Sequence, residues 1–314
     1  MAMISRLAAA AMRRPRHQVL IFHRVLHRQD PMSPNEPTTA WFRGLIAELA
    51  AHFEIISLGE AVSRADAGEL RGRSLSITFD DGYADNYTAA LPVLETFEAP
   101  ATFFVATDFL DGGRMWNDSI IETFRRLPEG EYEFDLPDSP VVRLSDWDSR
   151  RTAAALTIRA WKHLPHAERQ ARVDALARRV SGLPTDLMMS IEQLRAMAGS
   201  PWATVGGHTR SHPILTTLPE DQAREEIAGR KEDLQGWLER EVELFAYPNG
   251  KHGRDYAATH AELVKKAGFR AAVATDWGAL DAATDHYKIP RFTPWRQNLA
   301  RFSIDLARCH FGLL

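Results

Sequence analysis

Cysteine is almost missing from this sequence. Cys309 stands alone among 314 residues, which excludes an internal disulfide and any zinc site built on several thiolates. It sits in an apolar pattern near the C-terminus and reads as a packed thiol. Long hydrophobic runs are missing too, since no stretch approaches the roughly 20 apolar residues of a membrane span. The nearest thing to a targeting segment is the Ala-rich run Leu7–Met12, flanked by Arg6, Arg13 and Arg14. It is too short and too weakly apolar for a secretory signal. A cytoplasmic protein is the expectation, with a short N-terminal arm lying on a membrane surface as the alternative. Excess charge of one sign is absent as well. A net charge of −4, with no basic stripe interleaved with aromatics, gives nucleic acid nothing to hold. What remains is an ordinary globular composition, 45% hydrophobic and 25% charged. No internal repeat or low-complexity tract occurs, and oligomeric state is not legible.

What the chain does have is a βα rhythm. Gln18–His23 is an apolar strand that ends in a histidine. Thr38 or Thr39 caps a helix over Trp41–Ala51. A short strand at Glu54–Ser57 and a helix over Leu58–Ala67 follow. After a strand at 74–79, Ala84–Phe97 reads as a helix leading to Ala101–Ala106. That last run is apolar throughout, as in a strand of a parallel sheet covered on both faces. Between Asp111 and about Ser200 the rhythm breaks. An acidic stretch, Pro128–Pro140, precedes two charged helices, Arg150–His163 and Ala167–Ser181, and only Val141–Leu144 hints at a strand. This is a helical insertion of about 111–200, which either shapes a cleft or packs inertly beside one. The alternation resumes with Ala203–His208, a long charged helix over Pro219–Arg240, strands near Glu243 and Ala271, and a terminal helix over Leu299–Phe311. The class is α/β, and one barrel domain accounts for the length.

Two short stretches carry the chemistry. Leu75-Ser-Ile-Thr-Phe-Asp-Asp-Gly82 opens as a strand of period two and ends in adjacent carboxylates. At a strand terminus the twist and the glycine turn can bring both to one rim, where they repel unless a cation or a proton intervenes. Gly206-Gly-His-Thr-Arg-Ser-His-Pro213 sets two imidazoles four residues apart, within reach of one face of a helical turn or tight loop. Its two glycines read as positions where the backbone comes close to a metal. Two histidines and an aspartate make three ligands for a divalent ion, with a fourth position open, as in catalytic rather than structural sites.

Thr78-Phe79-Asp80-Asp81-Gly82 followed by His208-Thr-Arg-Ser-His212-Pro213 resembles the polysaccharide deacetylases, the NodB-like carbohydrate esterases. Either motif alone is moderately specific; the ordered pair is strong. The resemblance implies a distorted (β/α)7-type barrel, Asp81, His208 and His212 as metal ligands, and Asp80 as general base. The ion implied is Zn²⁺, with Co²⁺ or Ni²⁺ as alternatives. The substrate implied is a carbohydrate bearing N-acetyl groups. An O-acetyl esterase or another amidase on the same scaffold, or a non-catalytic metal-containing carbohydrate-binding module, is the rival reading.

The rest of the resemblance is less regular. Glu243-Leu-Phe-Ala-Tyr-Pro-Asn-Gly250 is similar to the family's third motif and assigns the oxyanion to the backbone N–H of Tyr247. The arginine that usually precedes that tyrosine is missing, since Phe245 and Ala246 stand there. Arg291, at the end of the last strand, is a replacement partner for Asp80; otherwise it is a surface ion pair. The usual C-terminal histidine has no counterpart beyond His310. The branch that handles exopolysaccharides carries a histidine on its first strand, which makes His23 the candidate general acid unless it only supports a loop. Trp277 either walls an acetyl pocket or fills the core.

Overall fold

The computed structural model describes residues 14–134, 141–294 and 298–313. Among the described residues nine strands form: β1 (His17–Phe22), β2 (Glu54–Ile55), β3 (Ser74–Phe79), β4 (Ala101–Val105), β5 (Gly130–Glu133), β6 (Val141–Leu144), β7 (Ala203–Gly207), β8 (Leu244–Ala246) and β9 (Ala271–Val273). The main sheet runs β1-β3-β4-β7-β8-β9, with β2 beside the start of β3, and every pairing in it is parallel. Residues 289–292 join its two edges. On one side Ile289 N–H donates to Ala272 O (3.0 Å) and Ala274 N–H to Ile289 O (2.8 Å). On the other, Phe292 N–H donates to Val19 O (2.8 Å) and Ile21 N–H to Phe292 O (3.1 Å). This segment is a seventh stave, and the sheet curls into the distorted barrel that the βα rhythm and the resemblance imply.

The period-two pattern of β3 explains its two faces. Leu75, Ile77 and Phe79 point outward into the main core, under the helix Thr39–His52, whose cap Thr38 accepts from Trp41 N–H. Phe22, Phe42, Phe79 and Phe103 pack there with ring centroids 5.0–5.7 Å apart. Each such ring contributes on the order of 1.5–3 kcal/mol by burial. Ser74, Ser76, Thr78 and Asp80 form the other face. His17 shares protons with Ser74 Oγ (2.9 Å) and Ser76 Oγ (2.8 Å), and Thr78 donates to Leu20 O (2.8 Å). A polar column thus climbs β3 and ends at Asp80.

The structure refines three expectations. The helix expected over Ala84–Phe97 forms, with a π-helical turn, Asn86–Ala90, before Leu91–Thr96. The long helix expected over Pro219–Arg240 forms with another π-helical turn inside it, Glu225–Gly229. The strand hinted at over Val141–Leu144 forms as β6 and pairs with β5 as an antiparallel hairpin within the insertion. The insertion packs around its own cluster of Trp116, Phe124, Leu144 and Trp161. The N-terminal arm through Arg13 and residues 135–140 of the acidic stretch lie outside the described residues. Among the described residues, no helix is long and apolar enough to cross a membrane. Cys309 is buried, donates its thiol to Gly278 O (3.3 Å), and is pushed up to about 11 by burial.

Candidate active site

Because the strands are parallel, their C-terminal ends share one rim, where α/β barrels build their sites. A cavity of about 390 Å³ opens there, and His23, Asp80, Asp81, His208, His212 and Asn249 all line it. The residues come from the ends of β1, β3, β7 and β8.

Asp81 turns out of β3 with φ +77°, a conformation that strains a residue with a Cβ. Gly82 follows at φ +90°, where an added Cβ would meet Val105 Cγ1 at 3.0 Å. Ala106 N–H donates to Asp81 O (3.2 Å) and His208 N–H to Val105 O (3.1 Å), so the two motifs are tied through β4. Asp81 Oδ1 lies 3.3 Å from His208 Nε2 and 3.3 Å from His212 Nε2. One ligand atom from each residue falls within 4.8 Å of the others. His208 Nδ1 donates to Ala246 O (2.7 Å), which fixes the tautomer and leaves Nε2 with its lone pair toward Asp81. Asp81 Oδ1 is buried without a hydrogen-bond donor. Asp81 Oδ1 and the two Nε2 atoms, converging on one point, fit a divalent cation.

The imidazoles and carboxylates also act strongly on one another. Burial pushes the Asp81 carboxyl up, but the His208 and His212 imidazoles more than reverse this and hold it well below the usual range. Burial takes His212 down to about 3 against the pull of Asp81. Burial also lowers His208, yet Asp80 and Asp81 outweigh it and the net shift is upward. The two rings lie 4.8 Å apart, so a proton on one disfavours a proton on the other. Chelator-stripped wild-type protein is expected to take up one divalent ion per chain, and His208→Ala to bind it more than roughly 100-fold more weakly. Equal uptake by both proteins in a metal titration would remove this ligand set.

Asp80 has a different partner. Arg291 is fully buried and grips it through two parallel bonds, Nη1 to Oδ1 and Nη2 to Oδ2, each 2.7 Å. Arg291 Nε also donates to Ala274 O (2.7 Å) and Nη1 to Thr78 Oγ1 (3.1 Å). Burial raises the Asp80 carboxyl, and Arg291, with His208, brings it below its ordinary value. The arginine missing ahead of Tyr247 is thus replaced in space by one from the closing segment, and it is no surface pair.

His23 follows β1, beside the pair. Asn86 Nδ2 donates to His23 O (2.8 Å), and Arg24 Nε donates to Asp85 Oδ2 (2.8 Å) while Asp85 Oδ1 accepts Val25 N–H (3.1 Å). That network holds the loop over the cavity. Trp277 is 41% exposed on the cavity wall, not in the core. His310 is buried in the terminal helix and does not line the cavity.

Tyr247 is not brought to the site. Its N–H is donated to Val273 O (3.2 Å) in the sheet ladder. Its ring stacks on Tyr256 at 3.7 Å and its hydroxyl donates to Tyr287 O (3.0 Å). Two residues on, Asn249 lines the cavity at φ +60°, and its N–H meets no acceptor among the described residues. The glycines before His208 also serve another purpose than approach to a metal. A Cβ on Gly206 would lie 2.5 Å from the Phe104 ring and 2.9 Å from Leu244 O, so the residue makes room for neighbouring strands.

Sequence reasoning passed over Glu226 and the cavity residues of the insertion. Glu226 Oε2 accepts the N–H groups of Arg210 and Ser211 (both 2.8 Å), and Oε1 accepts Ser211 Oγ (2.7 Å). It clamps the loop between the two histidines from the second π-helical turn, where such turns often mark functional positions. Met115, Trp116, Asn117, Ile158 and Lys162 bring the insertion to the cavity wall, so it shapes the cleft.

No curated protein matches the sequence. Solved structures do match in fold. The Streptococcus pyogenes deacetylase PplD, in complex with acetate, superposes with a TM-score of 0.62 at 16% identity, covering 93% of this chain and 98% of that one. IcaB from Ammonifex degensii gives 0.58 at 20% identity over 92% and 97%. A de-N-acetylase from Aggregatibacter actinomycetemcomitans gives 0.55 at 14% identity over 88% and 94%. The polysaccharide deacetylase family profile matches residues 67–133 and 165–272, more than half of the chain and both motif regions. The chain belongs to the polysaccharide deacetylase family.

Proposed function

We propose that the protein is a metal-dependent hydrolase that removes N-acetyl groups from an amino-sugar-containing saccharide or glycolipid precursor. The observation that carries this reading is the pairing, in one cavity, of a buried Asp-His-His ligand set with a second aspartate held ionised by Arg291. A binding module needs the ligands but not the second acid. That PplD was solved in complex with acetate, the product of such a reaction, supports it further.

Asp81, His208 and His212 would hold the ion. When bound, Zn²⁺ (or Co²⁺ or Ni²⁺) supplies Lewis acidity and lowers the pKa of water. Asp80 accepts the proton of the attacking water as general base. Its ionised state is what Arg291 maintains. The Asn249 N–H, rather than that of Tyr247, donates to the oxyanion of the tetrahedral intermediate. His23 faces the same cavity and gives its proton to the departing amine. Trp277, exposed on the cavity wall, offers an aromatic face to a sugar ring.

The test is acetate release from N-acetylated oligosaccharides by the metal-loaded enzyme, with O-acetylated analogues in parallel. Faster release from the esters would favour the O-acetyl esterase instead. His23→Ala is expected to cut N-deacetylation by about 10²–10⁴-fold, the usual worth of one general acid. It should retain its metal. A variant within a few-fold of wild type would mean that the amine is protonated by another group.

A further inference from the structure

The insertion brings charge to the cleft as well as shape. Lys162, the residue that ends the helix Trp147–Trp161, lines the cavity half-buried, and among the described residues no carboxylate pairs with its ammonium. The acid that acts on it from nearby is Asp255, whose oxygens are already taken. Arg254 Nε donates to Asp255 Oδ1 (3.2 Å), Arg254 Nη2 to Oδ2 (3.3 Å), and the Lys251 N–H to Oδ2 (3.1 Å).

Behind Lys162 stands Arg169, only 3% exposed. Its guanidinium lies 4.8 Å from the Trp116 ring centre, and Nη1 donates to the Lys162 carbonyl (3.3 Å). It has no carboxylate partner among the described residues, and its Nε meets no acceptor. Beside them Asn117 Oδ1 is buried without a donor. Lys251, also lining the cavity, donates Nζ to Thr275 O (2.8 Å) and lies 3.6 Å from Asp276 Oδ1, a loose pair.

Cations withdrawn from water without a counter-charge are costly. A cleft that keeps them is matched to a ligand that supplies the missing charge. We propose that this wall is a subsite for an anionic substituent of the saccharide, a phosphate or a carboxylate, with Lys162 as its ion-pair partner. Arg169 positions Lys162 through its carbonyl and adds to the positive potential. The proposal takes the saccharide from the deacetylase reading, whereas the charge follows from the cleft alone.

Three ligands test it on the metal-loaded protein: a neutral N-acetylglucosamine oligomer, the same oligomer bearing a phosphate monoester, and one in which a neighbouring sugar is a uronic acid. Binding is read by tryptophan fluorescence or calorimetry at low and physiological salt, with acetate release followed in parallel. At least one anionic oligomer should bind roughly tenfold to a hundredfold more tightly than the neutral one, with the preference shrinking as salt rises. Which of the two gains tells phosphate from carboxylate. Lys162→Gln, and Lys162→Met, which keeps most of the packed stem, should erase the preference, while Lys288→Gln at a remote surface pair should keep it. The proposal is overturned if neither anionic oligomer outbinds the neutral one, or if the preference survives in both Lys162 variants. Charge-selective binding with no acetate release from any ligand would instead sink the deacetylase reading and leave the subsite standing. Release indifferent to charge would do the reverse.

Discussion

Asp80→Asn is expected to slow acetate release by about 10²–10⁴-fold while leaving metal content near that of wild type. The amide keeps the shape of the carboxylate but cannot accept the proton of the attacking water. Metal retention is the discriminating half of the experiment. The proposed ligand atoms belong to Asp81, His208 and His212, and Asp80 faces Arg291 instead. Asn also turns one N–H₂ toward the guanidinium, so one of the two 2.7 Å bonds is lost and a donor faces a donor. A stability loss of about 1–3 kcal/mol follows from that mismatch, so activity is to be compared where the variant is fully folded. If the variant loses its metal as well, Asp80 is a ligand and the division of labour between the two acids is wrong.

The second large effect is on folding. Arg291→Met should destabilise the protein by about 3–5 kcal/mol in chemical denaturation, because it leaves the Asp80 carboxylate buried without its partner. The pH dependence has a definite sign. Arg291 holds Asp80 below its unfolded value, so the stability from this pair is present above that value and is lost as pH falls through the folded one. Without Arg291 the burial that opposes it wins and the Asp80 carboxyl moves up. The acid limb of the pH–rate profile should shift toward neutral pH, and stability should improve on acidification where the wild type declines. Adding Asp80→Asn to Arg291→Met removes the orphaned charge and should recover part of the loss. Equal stability of the single and double variants would show that the guanidinium acts by packing alone.

Much of this site was legible because its chemistry is contiguous. Asp80 and Asp81 end one strand, and His208 and His212 sit on one loop, so local spacing announced them. Arg291 could be inferred because an ionised Asp80 needs a cation and the last strand offers one at its end. Tyr247 was misassigned for a local reason. The ladder bond from its N–H to Val273 O carries the pairing one residue beyond Ala246, so the backbone is released to the cavity only at Asn249. One residue of strand boundary decides which amide is free. Glu226 was invisible because, by helical pattern, it resembles any solvated acid until the π-helical turn rotates it under the histidine loop. Lys162 and Asn117 lie 45 positions apart in the chain, and nothing short of tertiary packing sets them on the same wall.

Closure of the barrel by residues 289–292 has a consequence for the order of events during synthesis. Asp80 and Arg291 are 211 positions apart, and the same short segment both seals the ring against β1 and delivers the guanidinium. A nascent chain that has exposed every proposed metal ligand, from Asp81 to His212, still has an open sheet and an Asp80 without the Arg291 guanidinium beside it. Long-range closures of this kind come late in folding, since their loop entropy is met only when the final contacts form. The ring and the Asp80–Arg291 pair therefore form together in one closing step, when residues 289–292 meet β1. Until then the proposed ligands have no guanidinium nearby to hold Asp80 ionised.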